Sequence, residues 1–303
     1  MQASTNAIRT GDDGMEHKRN HYVPQFILRG WVTRGLKYSG VWVYDIREER
    51  SFFSNATGAK AFSFAATDDL YVPKIDGKRS ASMEKWFGGQ ESALSKVVRE
   101  ALQKRDILTD RATYDELAAL TFALVGLEHR SRHEIEASTR AVRDDPDLRK
   151  IISSNPERDI HRLVLENIIN DTTNTVQELG HVEITFFETE NSLICSDRPA
   201  FLHDEIGHFV VLTNHCFAVY HTSSAGLFRY RHEQARADFV ESVDRALTFA
   251  ARDWIVADSE QNLNRHIEVI KTSEWKEHVA RDHPVVKPVT ALTAGWNFRE
   301  PND

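Results

Sequence analysis

The sequence predicts an α+β fold with a mixed or mainly antiparallel sheet and a helical insertion in the middle of the chain. Two observations predict it. Apolar and polar residues alternate, as in strands, both near the N-terminus and beyond residue 180. Between about residues 84 and 180, apolar residues recur at helical spacing instead. Strands and helices are therefore segregated along the chain rather than alternating in βαβ units.

The first elements follow from proline, glycine and turn residues. Pro24 fits the first position of a short helix over residues 24–29, and Gly30 fits its C-terminal stop. Strands are predicted over Gly40–Ile46 and Arg50–Ser54, and the charged turn between them joins the two strands into a hairpin.

Three helices are predicted in the middle of the chain. The first covers residues 83–106, where apolar side chains recur at helical spacing. A capping box over residues 113–116 opens the second helix, which we expect to continue to about Arg143. The third helix begins at Pro156, after polar capping residues, and closes at Gly180.

In the C-terminal part of the chain, apolar and polar residues again alternate with a period of two, as in strands. It predicts one hairpin that joins residues 181–190 to 192–197, and a second that joins 208–213 to 216–221. The remaining elements are, in order, a helix over Gln234–Ala251, a strand over residues 253–258 and a helix from about Ser259. We expect the N-terminal hairpin to join these strands in one sheet.

Length and composition allow one large core or two small ones, because the chain has 303 residues and 41% apolar content. We predict a disordered tail over residues 1–16, a single domain over 17–284 and an irregular tail over 285–303, with two domains as the alternative. No apolar run approaches the roughly 18 residues of a membrane span, so no membrane partner is expected. The N-terminus has no signal-peptide pattern, which makes a cytoplasmic protein the default expectation.

Several function classes lack support in the sequence. Its two cysteines, Cys195 and Cys216, cannot build a disulfide scaffold or a zinc site made mainly of thiolates. A net charge of −8 argues against a general polyanion-binding surface, although it leaves room for a local basic patch. There is no P-loop, GxGxxG turn or GxSxG nucleophile elbow, so nucleotide cofactors and serine-esterase chemistry are not indicated.

The stretch HYVP, residues 21–24, is the first candidate site. The residue before a proline is extended, which leaves His21 and Tyr22 just outside the N-terminus of the predicted helix. The partial positive charge at that N-terminus should keep His21 neutral, as a general base or metal ligand must be. The alternative is a packed histidine bonded to a loop carbonyl, and spacing by itself favours that alternative.

The second candidate is SDRP, residues 196–199, where a strand opens into a loop. Ser196 and Asp197 are expected on opposite faces of that strand. Short polar residues at a strand end are common positions for catalytic carboxylates. They are equally common as caps of turns, because an aspartate accepts backbone N–H bonds there.

The third candidate lies on the second predicted helix. Glu128 falls close to the apolar stripe of that helix, where a carboxylate needs a partner, and Arg132 four residues later is the expected one. The pair is either structural or placed at the rim of a pocket, where Arg130 or Arg132 could hold a phosphate or carboxylate. His208 is interpreted as a solvated loop residue, because no zinc pattern such as HExxH accompanies it.

The two tetrapeptides together resemble the bacterial family named domain of unknown function 4238. HYVP near the start and an SDNP-type motif in the later strands are typical of that family, and Arg198 stands here where the family commonly has Asn. The similarity extends to VWVYDI and QNLN and covers about residues 17–272. The resemblance implies that His21 and Asp197 belong to one shared site, and it implies no activity.

The resulting hypothesis is a hydrolase that acts on an anionic substrate, with a phosphodiester and a nuclease-like reaction as the specific case. Its expected catalytic residues are His21, Asp197 and Glu128, and its expected substrate-binding residues are Tyr22, Arg130, Arg132 and Ser196. His21 would be the base or a metal ligand, and Asp197 a ligand or the group that orients the imidazole. A divalent metal and a nucleic-acid partner are open options. The competing hypothesis is a non-catalytic binding or regulatory module in which both motifs are structural.

Overall fold

The computed structural model shows an α+β fold, as predicted, and it describes most of the chain. The described residues are 19–34, 39–58, 60–75, 78–80, 82–104, 114–146, 156–203, 206–227 and 229–281. The two predicted tails, 1–16 and 285–303, lie outside these ranges. None of the helices within the described ranges combines the length and apolar character needed to cross a membrane.

The elements are numbered in chain order. The strands are β1 (Arg19–His21), β2 (Thr33–Arg34), β3 (Ser39–Asp45), β4 (Arg50–Asn55), β5 (Ala66–Asp68), β6 (Lys74–Ile75), β7 (Lys78–Arg79), β8 (Val182–Glu188), β9 (Cys195–Ser196), β10 (Ala200–His203), β11 (Gly207–Thr213), β12 (Cys216–Thr222), β13 (Arg229–Gln234) and β14 (Trp254–Ala257). The helices are α1 (Gln25–Leu28), α2 (Ser82–Lys104), α3 (Tyr114–His129), α4 (Arg132–Asp144), α5 (Pro156–Leu179), α6 (Ala237–Ala250), α7 (Glu260–Ile270) and α8 (Ser273–Arg281).

Two five-stranded sheets replace the single sheet expected from the sequence. The first has the order β2-β3-β14-β9, with β4 also paired to β3, so the N-terminal hairpin does join a C-terminal strand. The second has the order β10-β11-β12-β8-β13. In addition, β1 pairs with β5 and β6 pairs with β7.

The hairpin predicted over residues 181–197 is wrong, because its two strands belong to different sheets. β8 pairs with β12 and with β13, whereas β9 is only two residues long and pairs with β14. The second predicted hairpin, β11–β12, is confirmed with a bulge between Val211 and Thr213. Strand β13 was not predicted, and its pairing with β8 is parallel.

The second predicted helix is two helices, α3 and α4, separated at Arg130 and Ser131. Ser131 caps α4, because its hydroxyl accepts a hydrogen bond from the backbone N–H of Glu134 at 3.1 Å. Ser131 and Glu134 form the S-x-x-E pattern of a capping box. The break means that Glu128 and Arg132 are not one turn apart on a single helix.

Gly30 is required for a close approach rather than for a helix stop. Pro24 lies at the N-cap position, one residue before α1 and not inside it as predicted, and the chain continues from α1 into a 3-10 turn over Arg29–Trp31. A Cβ atom on Gly30 would lie 2.8 Å from the Cα of Thr213 on β11. Trp31 is fully buried, and its indole N–H donates to the Leu193 carbonyl at 2.7 Å, which anchors the N-terminal segment.

The central helices pack on one another and on the second sheet. α3 contacts both α2 and α5, and α4 contacts α5, which confirms a helical insertion between β7 and β8. α3 also contacts β10, while α7 covers β3 and β14 of the first sheet. The buried apolar side chains of these layers form one continuous cluster. α5 ends as predicted before Gly180, which has a φ of 59°.

Candidate functional site

The HYVP motif directs two neighbouring side chains to opposite sides of the backbone. His21 ends β1, which pairs with β5, and its side chain is half-buried in the wall of a cavity. Tyr22 is only 2% exposed and packs into the core. This separation follows from the extended backbone, in which successive side chains alternate.

The cavity beside His21 has a volume of about 800 Å³ and lies between α1 and α2. On the α1 side it is lined by His21, Gln25, Phe26 and Arg29. On the α2 side it is lined by Glu84, Phe87, Gly88 and Glu91. The two walls therefore carry charges of opposite sign, since the arginine and the titratable imidazole face two carboxylates.

The α1 wall holds the imidazole and the guanidinium. Gln25 Nε2 lies 3.3 Å from Nε2 of His21, and the guanidinium of Arg29 lies over the ring of Phe62 at 5.9 Å from its centroid. Because α1 has only four residues, its dipole is too small to set the charge of His21. The reason first given for a neutral imidazole therefore does not hold.

The α2 wall holds two carboxylates that are each fixed by one neighbour. Oε1 of Glu84 accepts a hydrogen bond from Asn20 Nδ2 at 2.8 Å. Oε1 of Glu91 lies 2.9 Å from Nη2 of Arg130, which is 2% exposed. The hydroxyl of Tyr71, another cavity residue, donates to the Arg130 carbonyl at 2.9 Å. Arg130 thus reaches the cavity wall indirectly, through Glu91.

Asp197 of SDRP is fully buried and does not line this cavity. Its Oδ1 accepts backbone N–H bonds from Arg252 at 2.8 Å, from Asp253 at 3.1 Å and from Trp254 at 3.4 Å. Its Oδ2 has no hydrogen-bond partner within the described ranges. Burial raises the pKa of Asp197 to about 6, and the negative charge of Asp253 adds to the effect.

Tyr22 connects the HYVP motif to this buried carboxylate. Its hydroxyl accepts a hydrogen bond from Trp254 Nε1 at 2.6 Å and donates to the carbonyl of Phe64 at 3.3 Å. Burial raises the pKa of Tyr22 well above its ordinary value, and the charges of Asp197 and Asp253 raise it further. The two motifs are therefore linked through Trp254, whose indole N–H donates to the Tyr22 hydroxyl and whose backbone N–H donates to Oδ1 of Asp197.

Both motifs lie within a region that a family model recognises. The model described as "Protein of unknown function (DUF4238)" matches residues 19–261. The chain belongs to this family. Comparisons with curated proteins and with solved structures give no match. In this DUF4238 chain the matched region includes β1, the residues that line the cavity, Asp197 and Asp253.

Arg132 takes part in an ion-pair network that includes Asp253, and it does not form the expected pair with Glu128. Its Nε donates to Oε1 of Glu136 at 2.6 Å. Nη2 of Arg47 lies 3.5 Å from Oε2 of Glu136 and 2.5 Å from Oδ1 of Asp253. The contact with Asp253 is an ion pair whose geometry does not meet that of a hydrogen bond. The network joins α4 to the β3–β4 turn and to the start of β14.

Ser196 and Arg198 complete the SDRP segment, and both have local partners. Ser196 is fully buried, and its hydroxyl donates to the Arg198 carbonyl at 3.0 Å. Nη2 of Arg198 lies 2.9 Å from Glu134 on α4. The Arg198 side chain therefore ties this loop to the helical insertion.

Glu128 forms a third set of contacts, with His208 and with Tyr220, a residue that the sequence analysis did not discuss. Its Oε1 lies 3.0 Å from Nδ1 of His208 and also accepts a short hydrogen bond from the Tyr220 hydroxyl. The hydrogen bond to Glu128 raises the pKa of His208. His208 and Tyr220 face each other across β11 and β12, so His208 is a strand residue and not a solvated loop residue.

The predicted site residues of this DUF4238 chain thus fall into three sets. His21 lines the cavity, and Arg130 stands behind it. The second set lies around the buried carboxylates of Asp197 and Asp253 and consists of Asp197 itself with Tyr22, Ser196 and Arg132. In the third set, Glu128 pairs with His208. Within the described ranges, no group of three His, Cys, Asp or Glu side chains is arranged to hold a metal ion.

Proposed function

We propose that the protein is a hydrolase that acts on a small anionic substrate, with a phosphate ester or diester as the preferred case, in the cavity beside His21. One observation carries the proposal. A half-buried imidazole and an arginine share one wall of a cavity of about 800 Å³. An imidazole is the side chain best suited to proton transfer near neutral pH, and a guanidinium binds phosphate or carboxylate oxygens in a fork.

Each residue of the α1 wall has a role in this proposal. His21 takes the proton from the attacking water as the new bond to phosphorus forms. Arg29 binds the anionic oxygens and stabilises the charge that develops on them. Gln25, which contacts the imidazole, restricts its orientation. The P–O bond to the leaving group breaks, and that oxygen then receives a proton from His21.

The charges of the cavity favour a small substrate over a nucleic-acid polymer. Two carboxylates lie on the α2 wall, and the whole chain has a net charge of −8. Binding of a polyanion depends on many phosphate contacts with Lys and Arg. The α2 wall carries negatively charged side chains instead, which repel phosphate groups. The nuclease-like hypothesis is accordingly narrowed to compact phosphate esters and diesters.

A non-catalytic binding module is the second candidate, and the α2 wall favours it. Oε1 of Glu84 and Oε1 of Glu91 are each already engaged by a protein donor. Neither carboxylate is therefore an obvious second proton-transfer group. The three backbone bonds to Asp197 also support a structural role for SDRP in either candidate.

The test is hydrolysis of 4-nitrophenyl phosphate, bis(4-nitrophenyl) phosphate and a short RNA by the purified protein, with Mg²⁺ or with EDTA. We expect His21→Gln to lower kcat at least 100-fold, because removal of a general base has an effect of about 10²–10⁴. Arg29→Ala should raise KM, since it removes the anion anchor.

The matched control is His221→Gln, which changes an exposed histidine on β12 that is not part of the cavity. Unchanged activity in His21→Gln would contradict the proposal. Absence of hydrolysis for every substrate would favour the binding module.

A further inference from the structure

We infer that the ligand of the cavity is a nucleotide, whose planar base lies on α2 at Gly88 and whose phosphate binds Arg29 and His21 on the opposite wall. This inference rests on the proposed function and names the substrate class of the same site. Three features of the cavity carry it: a glycine in the interior of a helix, the two carboxylates on either side of that glycine, and the opposite charge of the facing wall.

Gly88 is a residue that the fold itself does not require. It lies within the 23-residue helix α2, where glycine destabilises a helix by about 1 kcal/mol relative to alanine. A Cβ atom on Gly88 would meet no heavy atom within 4 Å, so no close approach of a neighbouring element explains the glycine. Gly88 lines the cavity, and its missing side chain leaves the helix backbone bare on that wall.

The bare position lies between two carboxylates. Glu84 precedes Gly88 by four residues and Glu91 follows it by three, a spacing that puts all three residues on one face of α2. Oε1 of Glu84 is engaged by Asn20 and Oε1 of Glu91 by Arg130, and an ionised carboxylate has further lone pairs that can accept hydrogen bonds.

A flat ring placed on Gly88 would therefore have a carboxylate on either side of it. Nucleobases present amino and imino N–H groups at the ring edge, and carboxylates accept from such groups.

The α1 wall supplies the complementary end. Arg29 and His21 can bind a phosphate, whereas the α2 wall would repel one. A ligand with an anionic group at one end and a neutral ring with N–H donors at the other can bind both walls, through its anion on the α1 wall and its N–H groups on the α2 wall. Inorganic phosphate can bind only the α1 wall. The volume of about 800 Å³ falls within the roughly 300–1,000 Å³ of small-ligand sites.

The test is calorimetric titration with the four nucleoside monophosphates. Inorganic phosphate serves as a probe for the anionic end alone, and adenosine as a probe for the base and sugar without the phosphate. Gly88→Leu would fill the base position, and Gly89→Leu is the matched control. Gly89 is the next residue of the same helix, is also exposed, meets nothing within 4 Å and does not line the cavity. We expect both variants to unfold at or above the wild-type temperature. Only Gly88→Leu should weaken nucleotide binding, by at least tenfold.

The single-ended probes separate this inference from the proposed function. We expect at least one nucleotide to bind tenfold or more tightly than either phosphate or adenosine. Nucleotides that bind no better than phosphate, or not at all, would overturn the inference, as would wild-type affinity in Gly88→Leu. In those cases loss of phosphate-ester hydrolysis in His21→Gln would still uphold the proposed function. Tight nucleotide binding with full hydrolysis in His21→Gln would uphold the inference and overturn the proposed function.

Discussion

The cavity beside His21 and the buried carboxylates beside Tyr22 lie on opposite sides of one short strand, and their physical properties differ. The cavity is open and carries both signs of charge. Asp197 and Asp253 are 0% and 5% exposed, and Asp197 is bonded to three backbone N–H groups. Adjacent residues of one motif thus have different surroundings: His21 lines the cavity, and Tyr22 is part of the buried core.

The largest expected effect is loss of stability in Asp197→Ala. This change removes the acceptor of three buried backbone N–H groups, and each unsatisfied buried group costs about 1–3 kcal/mol. We expect the free energy of unfolding in urea to fall by about 4 kcal/mol. Asp197→Asn is the control, because it keeps an oxygen in the acceptor position and should cost much less. Equal losses in the two variants would contradict this account of the motif.

A smaller loss is expected for Tyr22→Phe. The change leaves the buried indole N–H of Trp254 without its acceptor at 2.6 Å, and the expected cost is about 1–2 kcal/mol. Denaturant unfolding measures it. Hydrolytic activity per folded molecule should stay near the wild-type value, because Tyr22 does not line the cavity. A large loss of kcat with unchanged stability would place Tyr22 in the reaction instead.

The smallest effect is expected in the pH dependence of stability. The pKa of Asp197 is raised to about 6 in the folded protein, so the folded state holds this proton more tightly than the unfolded chain, whose aspartate pKa is about 4. Lowering the pH from about 6 towards 4 should therefore stabilise the wild type relative to Asp197→Asn. Parallel unfolding curves of the two proteins across this range would contradict the raised pKa.

Much of the secondary structure could be predicted from local patterns. Period-two alternation located the β3–β4 and β11–β12 hairpins, and a proline at the first helical position and a terminal glycine bounded α5. Strand partners could not be predicted in the same way. β9 pairs with β14, which lies more than fifty residues later, and no local turn encodes such a pairing. The capping box of Ser131 and Glu134 is present in the sequence, but apolar helical spacing continues across it and conceals the break.

The sequence singled out residues for a candidate site, but it could not give their arrangement. The sequence identifies the two motifs as a pair, but it cannot say which side chain of HYVP faces the second motif. That choice depends on the register of β1 with β5.

His208 was interpreted as a solvated loop residue because no metal pattern accompanies it, and its contacts with Glu128 and Tyr220 depend on the fold. The bulge in the β11–β12 pairing contributes to this arrangement. An unbroken hairpin register from Thr213 and Cys216 would have placed His208 opposite His221, and the bulge places it opposite Tyr220 instead.

The measurement that tests the central claim most directly compares His21→Gln with Tyr22→Phe in one set of experiments, by melting temperature and by phosphate-ester hydrolysis per folded molecule. We predict that His21→Gln melts close to the wild type and loses at least 100-fold in kcat, and that Tyr22→Phe melts several degrees lower and keeps its activity. The reverse pattern, with a destabilised but active His21→Gln and a stable but inactive Tyr22→Phe, would contradict the separation of the two residues.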